Sequence, residues 1–255
     1  MSIAGKLTAI AENVPKVYEA GKKAEYDKFW DNYQNYGNRT NYERAFTGYG
    51  FNFTNFYPKY DIKPIGSGQN LFYAWTISSG VNDSAAYRGS LKQRLEECGV
   101  VLDTSKITYM SSMFNYGGWT ELPTIDMTGL TTASGFIFAN NYGALKTIEK
   151  IIMVETTPIE TSWFGTNCQG LENLIIEGTI GQNGFNVQYQ TKLSGESIVS
   201  IIEALSESTS GLTVTLSQTA VSNMTFPLTS KQTQTKYASW DELVGTKINW
   251  TIALA

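Results

Sequence analysis

A phrase of apolar anchors occurs three times in the middle of the chain. Each copy has a Phe, a Leu seven or eight residues later, and an Ile or Leu three residues after that. The anchors are Phe114/Leu122/Ile125, Phe138/Leu145/Ile148 and Phe164/Leu171/Leu174. Successive Phe anchors are 24 and 26 residues apart. Because a unit this short cannot bury its own apolar face, the pattern predicts stacked units that share one core.

The spacing also predicts the elements of each unit. A period of roughly 20–29 residues is typical of leucine-rich repeats, whose units each add one strand to a parallel array. The predicted strands span 122–127, 145–154, 171–180 and 212–216. Apolar residues at 198, 201, 202 and 205 lie on one helical face, so they predict a helix over 197–205. In the segment 240–254 apolar and polar residues alternate enough to predict a final strand that caps the array.

The first 36 residues carry a different apolar pattern, with residues that recur at spacings of 4, 3, 4 and 3. They are Ile3, Leu7, Ile10, Val14 and Val17. This seam predicts an N-terminal helix that forms a short coiled coil with other copies of the chain. Leu at one seam position and Ile at the other favour coiled coils of three or four helices over two. We therefore expect a homo-oligomer, with a trimer preferred.

Pro15 interrupts this seam, because a proline inside a helix removes a hydrogen bond and clashes with the preceding turn. A kink or break near residues 13–14 follows. Two alternatives to self-association therefore stay open. In one the helix packs on its own domain, and in the other it docks on a different protein.

Between the helix and the repeats the composition changes twice. Residues 26–60 are rich in aromatic residues and Asn, a combination that packs domain cores and interfaces and also stacks on sugars. A strand pattern follows at 71–77, and residues 88–98 read as a helix that ends at Gly99. The predicted fold class is α+β, with an N-terminal helical segment (1–36), an aromatic connecting domain (37–99) and a leucine-rich-repeat solenoid with a C-terminal cap (100–255).

Charge and composition narrow the function classes. Charged residues make up only 16% of the chain, and 23 glycines accompany abundant Asn, Thr and Ser, as in loop-rich β proteins. The net charge is −4 and no run of Lys or Arg occurs. We therefore expect no binding to nucleic acid and none to anionic membranes.

The chain lacks the residues that most often carry catalysis and metals. It contains no His, and its two cysteines, Cys98 and Cys168, are too far apart for a zinc motif, so both are predicted to be free thiols. We expect no cofactor, no transition metal and no enzyme activity. The carboxylates weighed for a glycosidase pair read better as solvated surface groups. They are Asp126, Glu155, Glu160 and Glu177.

Targeting patterns point to synthesis in the cytoplasm. The first 16 residues lack the continuous apolar core of a signal peptide, and no apolar run approaches about 18 residues. We therefore expect no membrane insertion.

The repeat phrase MFNYGGWTELPTI, with Met-Phe before the loop and Leu-x-x-Ile after it, resembles the BspA-like leucine-rich repeats of bacterial surface and phage proteins. The N-terminal KLTAIAENVPKVYEAGKKAEYDKFWDNYQNYGNRTNY and the following AFTGYGF are similar to proteins encoded by phages and prophages of Gram-positive gut bacteria. The segment LENLIIEGTIGQNGFNVQYQTKLSGESIVSIIEALSESTSGLTVTLSQTAV resembles the last repeats of the same proteins. Pro15 departs from that pattern, in which a polar residue is usual.

This resemblance implies a virion structural protein, such as a tail, fibre or baseplate component, located in the virion after synthesis in the host cytoplasm. It implies other virion proteins as partners and a repeat surface that meets a receptor of the host cell envelope. The alternative is a bacterial surface adhesin that binds protein or glycan. The missing signal peptide argues against the adhesin, because an exported protein needs an export address.

Overall fold

The computed structural model describes residue 46 and residues 56–73, 88–141 and 144–255. It shows an α+β protein in which most strand pairs are parallel. The five seam residues of the predicted N-terminal helix lie outside the described residues.

Eleven strands occur in the described ranges. They are β1 (Gly66–Ser67), β2 (Gly89–Ser90), β3 (Ile107–Tyr109), β4 (Trp119–Asp126), β5 (Thr147–Met153), β6 (Asn173–Gly178), β7 (Asn186–Val187), β8 (Leu212–Leu216), β9 (Leu228–Thr229), β10 (Lys236–Tyr237) and β11 (Trp250–Leu254). Two larger parallel sheets have the orders β2-β4-β5-β6 and β11-β8-β7. A parallel pair joins β1 to β3, and an antiparallel pair joins β9 to β10.

Four helices are present in the same ranges, and a serine caps the N-terminus of each. The helices are α1 (Leu91–Cys98), α2 (Gly195–Glu203), α3 (Gln218–Ser222) and α4 (Trp240–Gly245). Ser90, Ser194, Ser217 and Ser239 each accept a hydrogen bond from the backbone N–H three residues later. These bonds satisfy an amide that the first helical turn leaves without a partner. Gly99 ends α1 with a φ of 66°, as its predicted C-terminal cap requires.

The predicted helices over 88–98 and 197–205 are confirmed as α1 and α2, and the four predicted strands are found as β4, β5, β6 and β8. Two predictions are wrong. Residues 240–254 form α4 followed by β11 rather than one strand. The Ser239 hydroxyl starts the helix by accepting the Glu242 N–H at 3.2 Å, and the Glu242 carboxylate accepts the Ala238 N–H at 2.6 Å. In the predicted strand at 71–77, residues 71–73 form a turn instead, and residues 74–77 lie outside the described residues.

Phenylalanine rings stack in register along the protein. The stack consists of Phe46, Phe72, Phe114, Phe138 and Phe164. Successive ring centroids are 5.3, 5.5, 5.9 and 5.1 Å apart, and the ring planes are inclined by at most 23°. Phe185 closes the stack edge-on, at 6.2 Å and 61° from Phe164. Offset stacking of this kind adds to the stabilisation that burial alone provides.

The backbone repeats alongside the rings. The N–H of each of the first four stacked phenylalanines donates to the carbonyl of the residue that precedes the next Phe, at distances of 2.9–3.0 Å. The acceptors are the carbonyls of Leu71, Met113, Ile137 and Trp163. All four acceptor residues are buried. The phenylalanines are therefore fixed both by ring packing and by the main chain.

The strand register differs from the alignment that the sequence suggested. Leu122 pairs with Ile148, and Ile148 pairs with Leu174, whereas the repeat phrase aligned Leu122 with Leu145. In this register Trp119 lies level with Leu145. The physical reason is that the turn after Phe114 is shorter than the later turns, so a buried Trp occupies the position that Leu fills in the next unit.

Helix α2 covers the outer edge of β6. The hydroxyl of Ser197 accepts the N–H of Leu174 at 2.9 Å, and the hydroxyl of Ser200 accepts the N–H of Ile176 at 2.8 Å. All four residues are buried, and unsatisfied amides there would carry a desolvation cost. The two serines thus end the four-stranded sheet with side-chain acceptors where a further strand would supply carbonyls.

Candidate functional site

A groove of about 480 Å³ crosses three successive segments of the chain near the shorter parallel sheet. It lies where the β5–β6 loop, the β6–β7 loop with the start of β7, and strand β8 meet. Its lining residues are Ile159, Glu160, Thr161, Asn183, Gly184, Asn186, Thr213 and Thr215. The backbone fixes this arrangement, because the Thr215 N–H donates to the Phe185 carbonyl at 3.0 Å and ties β8 to the neighbouring segment.

Two asparagine amides in the groove are held by their oxygens. Asn183 Oδ1 accepts the N–H of Thr213 at 2.8 Å, and Asn186 Oδ1 accepts the N–H of Gln188 at 2.9 Å. Because both partners are backbone donors, the atom that faces them must be the amide oxygen, which fixes each amide orientation. The NH2 group of each side chain is therefore left for another partner, and no described residue accepts from either.

Gly184 supplies part of the groove floor. Its φ of 102° is a conformation that residues with a side chain rarely adopt. A Cβ at this position would meet Thr161 Cγ2 at 3.5 Å and Ile159 Cγ2 at 3.7 Å, which is ordinary contact distance. The glycine thus meets a backbone requirement and leaves the space between these two side chains open.

The groove carries one negative charge and no positive charge. Glu160 is its one charged lining residue, and its carboxylate has no hydrogen-bond or ion-pair partner among the described residues. The remaining lining groups are two amides, three threonine hydroxyls and the apolar Ile159. This combination of neutral donors and acceptors suits a polar, uncharged ligand better than an anion.

The six predicted repeat-core residues all lie in the interior, with exposures of 0–2%. They are Phe114, Leu122, Phe138, Leu145, Phe164 and Leu171. The structure brings them together as packing, away from any open surface.

The four carboxylates weighed for glycoside hydrolysis have separate surroundings. Asp126 accepts the N–H and hydroxyl of Thr128 at 2.9 and 2.6 Å, and Glu177 forms an ion pair with Lys150. Hydroxyl donation from Ser206, and then from Ser208, lowers the pKa of the Glu155 carboxyl. Only Glu160 lies in the groove. In the described part of the chain, no group of three His, Cys, Asp or Glu residues is placed to hold a metal ion.

Both cysteines are free thiols, as predicted. Cys168 is completely buried, and this burial raises the pKa of its thiol to about 12. Cys98, the last residue of α1, is only half-buried. Burial raises the pKa of its thiol as well. Neither cysteine lines the groove, so the thiols belong to the packing rather than to the candidate site.

Sequence reasoning did not find the groove. Its polar members, such as Thr161, Asn183 and Thr213, are 22 and 30 residues apart and belong to no common motif. Only the stacking of successive segments brings them to one surface.

No described helix is long and apolar enough to cross a membrane. No protein-family model, no curated protein and no solved structure matches the chain.

Proposed function

We propose that the chain is a non-catalytic virion structural protein of a phage, a component of the tail, fibre or baseplate that displays a repeat surface to the host envelope. The observation that carries the proposal is the stack of phenylalanine rings with its matching backbone bonds. Repeated short units joined by one core form extended, rigid surfaces rather than enclosed catalytic sites. In this proposal the units form a leucine-rich-repeat solenoid of the BspA-like type.

The outer face of the larger sheet supports display rather than burial. Lys150 on β5 pairs with Glu177 on β6, and Lys92 of α1 pairs with Glu149 on β5 at 3.5 Å. Exposed pairs of this kind contribute little to stability, about 0–1 kcal/mol each, and they keep a sheet face solvated. Solvated ion pairs and an open polar groove both suit reversible contact with a polar surface.

Immunogold labelling of purified phage particles tests the virion assignment. Antibodies against the described residues should label intact particles at one structural position, such as the tail tip or baseplate. Particles that lack the protein by labelling and by mass spectrometry would exclude the virion assignment.

A second candidate, a bacterial surface adhesin that binds protein or glycan, is favoured by the polar groove. The two candidates predict different locations. An adhesin is exposed on intact cells that produce no particles, so the same antibody on such cells separates them.

The proposal includes a homo-oligomer, with a trimer preferred, joined through the N-terminal seam residues. Light scattering on the full chain and on a variant that lacks residues 1–36 tests it. We expect a trimer that dissociates on deletion. A full-length monomer at micromolar concentration would leave the segment as a docking element for another virion protein.

A further inference from the structure

We infer that the groove between the β5–β6 loop and β8 binds an uncharged saccharide. The inference rests on the proposed function to the extent that a displayed surface needs a ligand, and it names the chemical class of that ligand. It concerns a site that belongs to neither the phenylalanine stack nor the charged sheet face.

The hydrogen-bonding inventory of the groove matches sugar hydroxyls. Each sugar hydroxyl donates one hydrogen bond and accepts others, so it needs both kinds of partner at close spacing. The amide nitrogens of Asn183 and Asn186 only donate, the Glu160 carboxylate only accepts, and the hydroxyls of Thr213 and Thr215 do both. Few other small ligands present so many neutral groups of mixed character.

The charge of the groove selects against acidic ligands. A phosphate, sulfate or uronic acid would bring its negative charge near Glu160 with no Lys or Arg in the lining to offset it. Ile159 adds an apolar contact that suits the C–H face of a pyranose ring. The volume of about 480 Å³ lies within the usual range of roughly 300–1,000 Å³ for small-ligand sites.

The donors are fixed before a ligand arrives. The backbone bonds to Asn183 Oδ1 and Asn186 Oδ1 hold both carboxamides in one orientation. Thr213 and Thr215 lie on a strand paired on both sides, by β7 and by β11. Side chains that are already ordered lose less conformational entropy when they bind, which favours affinity from few contacts.

Isosteric variants test the site without disturbing its bonds. Asn183→Asp and Asn186→Asp keep the oxygen that accepts the backbone N–H and remove the NH2 donors. Thr215→Val keeps the shape and the strand propensity of the residue and removes its hydroxyl. Asn173→Asp is the matched control, because Asn173 is an exposed asparagine on β6 outside the groove. Circular dichroism and thermal melting establish that each variant folds.

The probes are four neutral tetrasaccharides, namely maltotetraose, chitotetraose, mannotetraose and galactotetraose, with tetragalacturonate as the acidic comparison. Binding is measured by isothermal titration calorimetry and by saturation-transfer NMR on the full chain. We expect at least one neutral probe to bind, with a Kd about 10-fold weaker in each groove variant and unchanged in Asn173→Asp, since losing one hydrogen bond is worth about one factor of ten.

Three results would overturn the inference. The first is that no neutral probe binds at 10 mM, which is roughly the weakest affinity that such a site would need. The second is binding that the groove variants leave unchanged. The third is tighter binding of tetragalacturonate than of the neutral probes. The virion assignment fails separately, in the immunogold experiment. Saccharide binding with unlabelled particles would retain the groove and reject the virion location, and labelled particles without binding would do the reverse.

Discussion

The ring of Phe138 lies 5.1 Å from the ring of Phe164, with the two planes inclined by 22°. The N–H of Phe138 also donates to the carbonyl of Trp163, the residue immediately before Phe164, at 3.0 Å. Phe138 therefore joins two successive segments through both its ring and its backbone. The same relationship links Phe114 to the segment of Phe138, so Phe138 is held from both sides.

Replacing Phe138 by Ala should destabilise the protein strongly. The side chain is fully buried and contacts stacked rings on both sides, so its removal leaves a cavity between two units. We expect the free energy of unfolding to fall by about 3–5 kcal/mol, measured by chemical denaturation. The control is Phe136→Ala, two residues away, where the ring is 52% exposed and should matter by about 0.5 kcal/mol or less. A loss below about 1 kcal/mol for Phe138→Ala would contradict the stacked core.

A left-handed backbone recurs two residues before three of the stacked phenylalanines. Asn70, Ser112 and Phe136 have φ values of 55°, 55° and 56°. Asn tolerates this conformation and Ser accepts it less readily, whereas a bulky aromatic residue is strained there. The regular position suggests that the turn leading into each Phe requires this conformation, whatever residue the sequence supplies.

Because of this strain, we expect the usual order of stability of Ala and Gly variants to be reversed at position 136. In most positions Gly is less stable than Ala by about 0.5–1 kcal/mol, because it loses more conformational freedom on folding. At a φ of 56° Ala keeps the steric penalty and Gly removes it. We therefore expect Phe136→Gly to be more stable than Phe136→Ala by roughly 1 kcal/mol in paired urea unfolding. The usual order, with Ala the more stable, would mean that the turn relaxes out of the left-handed region.

The three-fold phrase predicted which phenylalanines are buried but not how the strands pair. The distance from Phe138 to Leu145 and from Phe164 to Leu171 is seven residues, whereas Phe114 reaches Trp119 after five. From the sequence, Leu122 was aligned with Leu145 and Leu171, because all three are leucines. Aligning Trp119 with them would have required a shorter turn after Phe114. Gly117 is what allows Trp119 to take this position. A Cβ at residue 117 would overlap the Trp119 indole, so only glycine leaves room for that ring.

The repeat pattern in the sequence also did not predict that Phe46 and Phe72 belong to the phenylalanine stack. Phe46 and Phe72 are 26 residues apart, as repeat anchors should be, but Phe114 follows Phe72 only after 42 residues. The extra length contains α1, which interrupts the period. The groove was beyond prediction for a related reason. Its asparagines and threonines are ordinary surface residues, and their convergence depends on a register that the sequence did not determine.

Cys168 and Cys98 should differ sharply in reactivity. A thiolate is the reactive form, and burial holds the pKa of Cys168 at about 12 while Cys98 is partly accessible. In native protein at pH 8 we expect Cys98 to react with a chromogenic disulfide reagent on the order of 100-fold faster or more. Cys168 should react only after denaturation, and Cys98→Ser and Cys168→Ala assign each signal. Two equally fast thiols in native protein would contradict the buried position.

The same burial predicts a pH dependence. The unfolded Cys168 thiol loses its proton above its ordinary pKa of 9.0, whereas the folded thiol keeps it until about 12. The unfolded state therefore binds fewer protons in this window, and this contribution to stability falls as pH rises from 9 to 12. Below pH 9 it is fully present. Comparing urea midpoints of the native sequence and Cys168→Ala between pH 8 and 11 measures it, and parallel curves would refute it.

The edge strand β11 offers a test of backbone direction. Ala255 donates to the Leu216 carbonyl at 3.1 Å and accepts from Gln218 at 2.9 Å, so its backbone faces β8. Backbone groups alternate sides along a strand, so Ala253 also faces β8 and Ile252 faces away from it. Proline lacks the N–H that a ladder bond needs, which makes it tolerable only on the outward positions of an edge strand.

Ala253→Pro should therefore cost about 3 kcal/mol or more in the free energy of unfolding, because it removes a bond to β8 and places a ring against that strand. Ile252→Pro should cost clearly less, about 1–2 kcal/mol, although it removes the larger side chain. The reason is that the N–H group it removes makes no hydrogen bond to any described residue. Area burial alone predicts the opposite order, because Ile is larger than Ala. Thermal and urea unfolding of the two variants, with Ile252→Ala to measure the side-chain contribution, therefore distinguish backbone pairing from apolar packing as the attachment of β11. Equal losses, or a greater loss for Ile252→Pro, would show that the outward edge is paired after all.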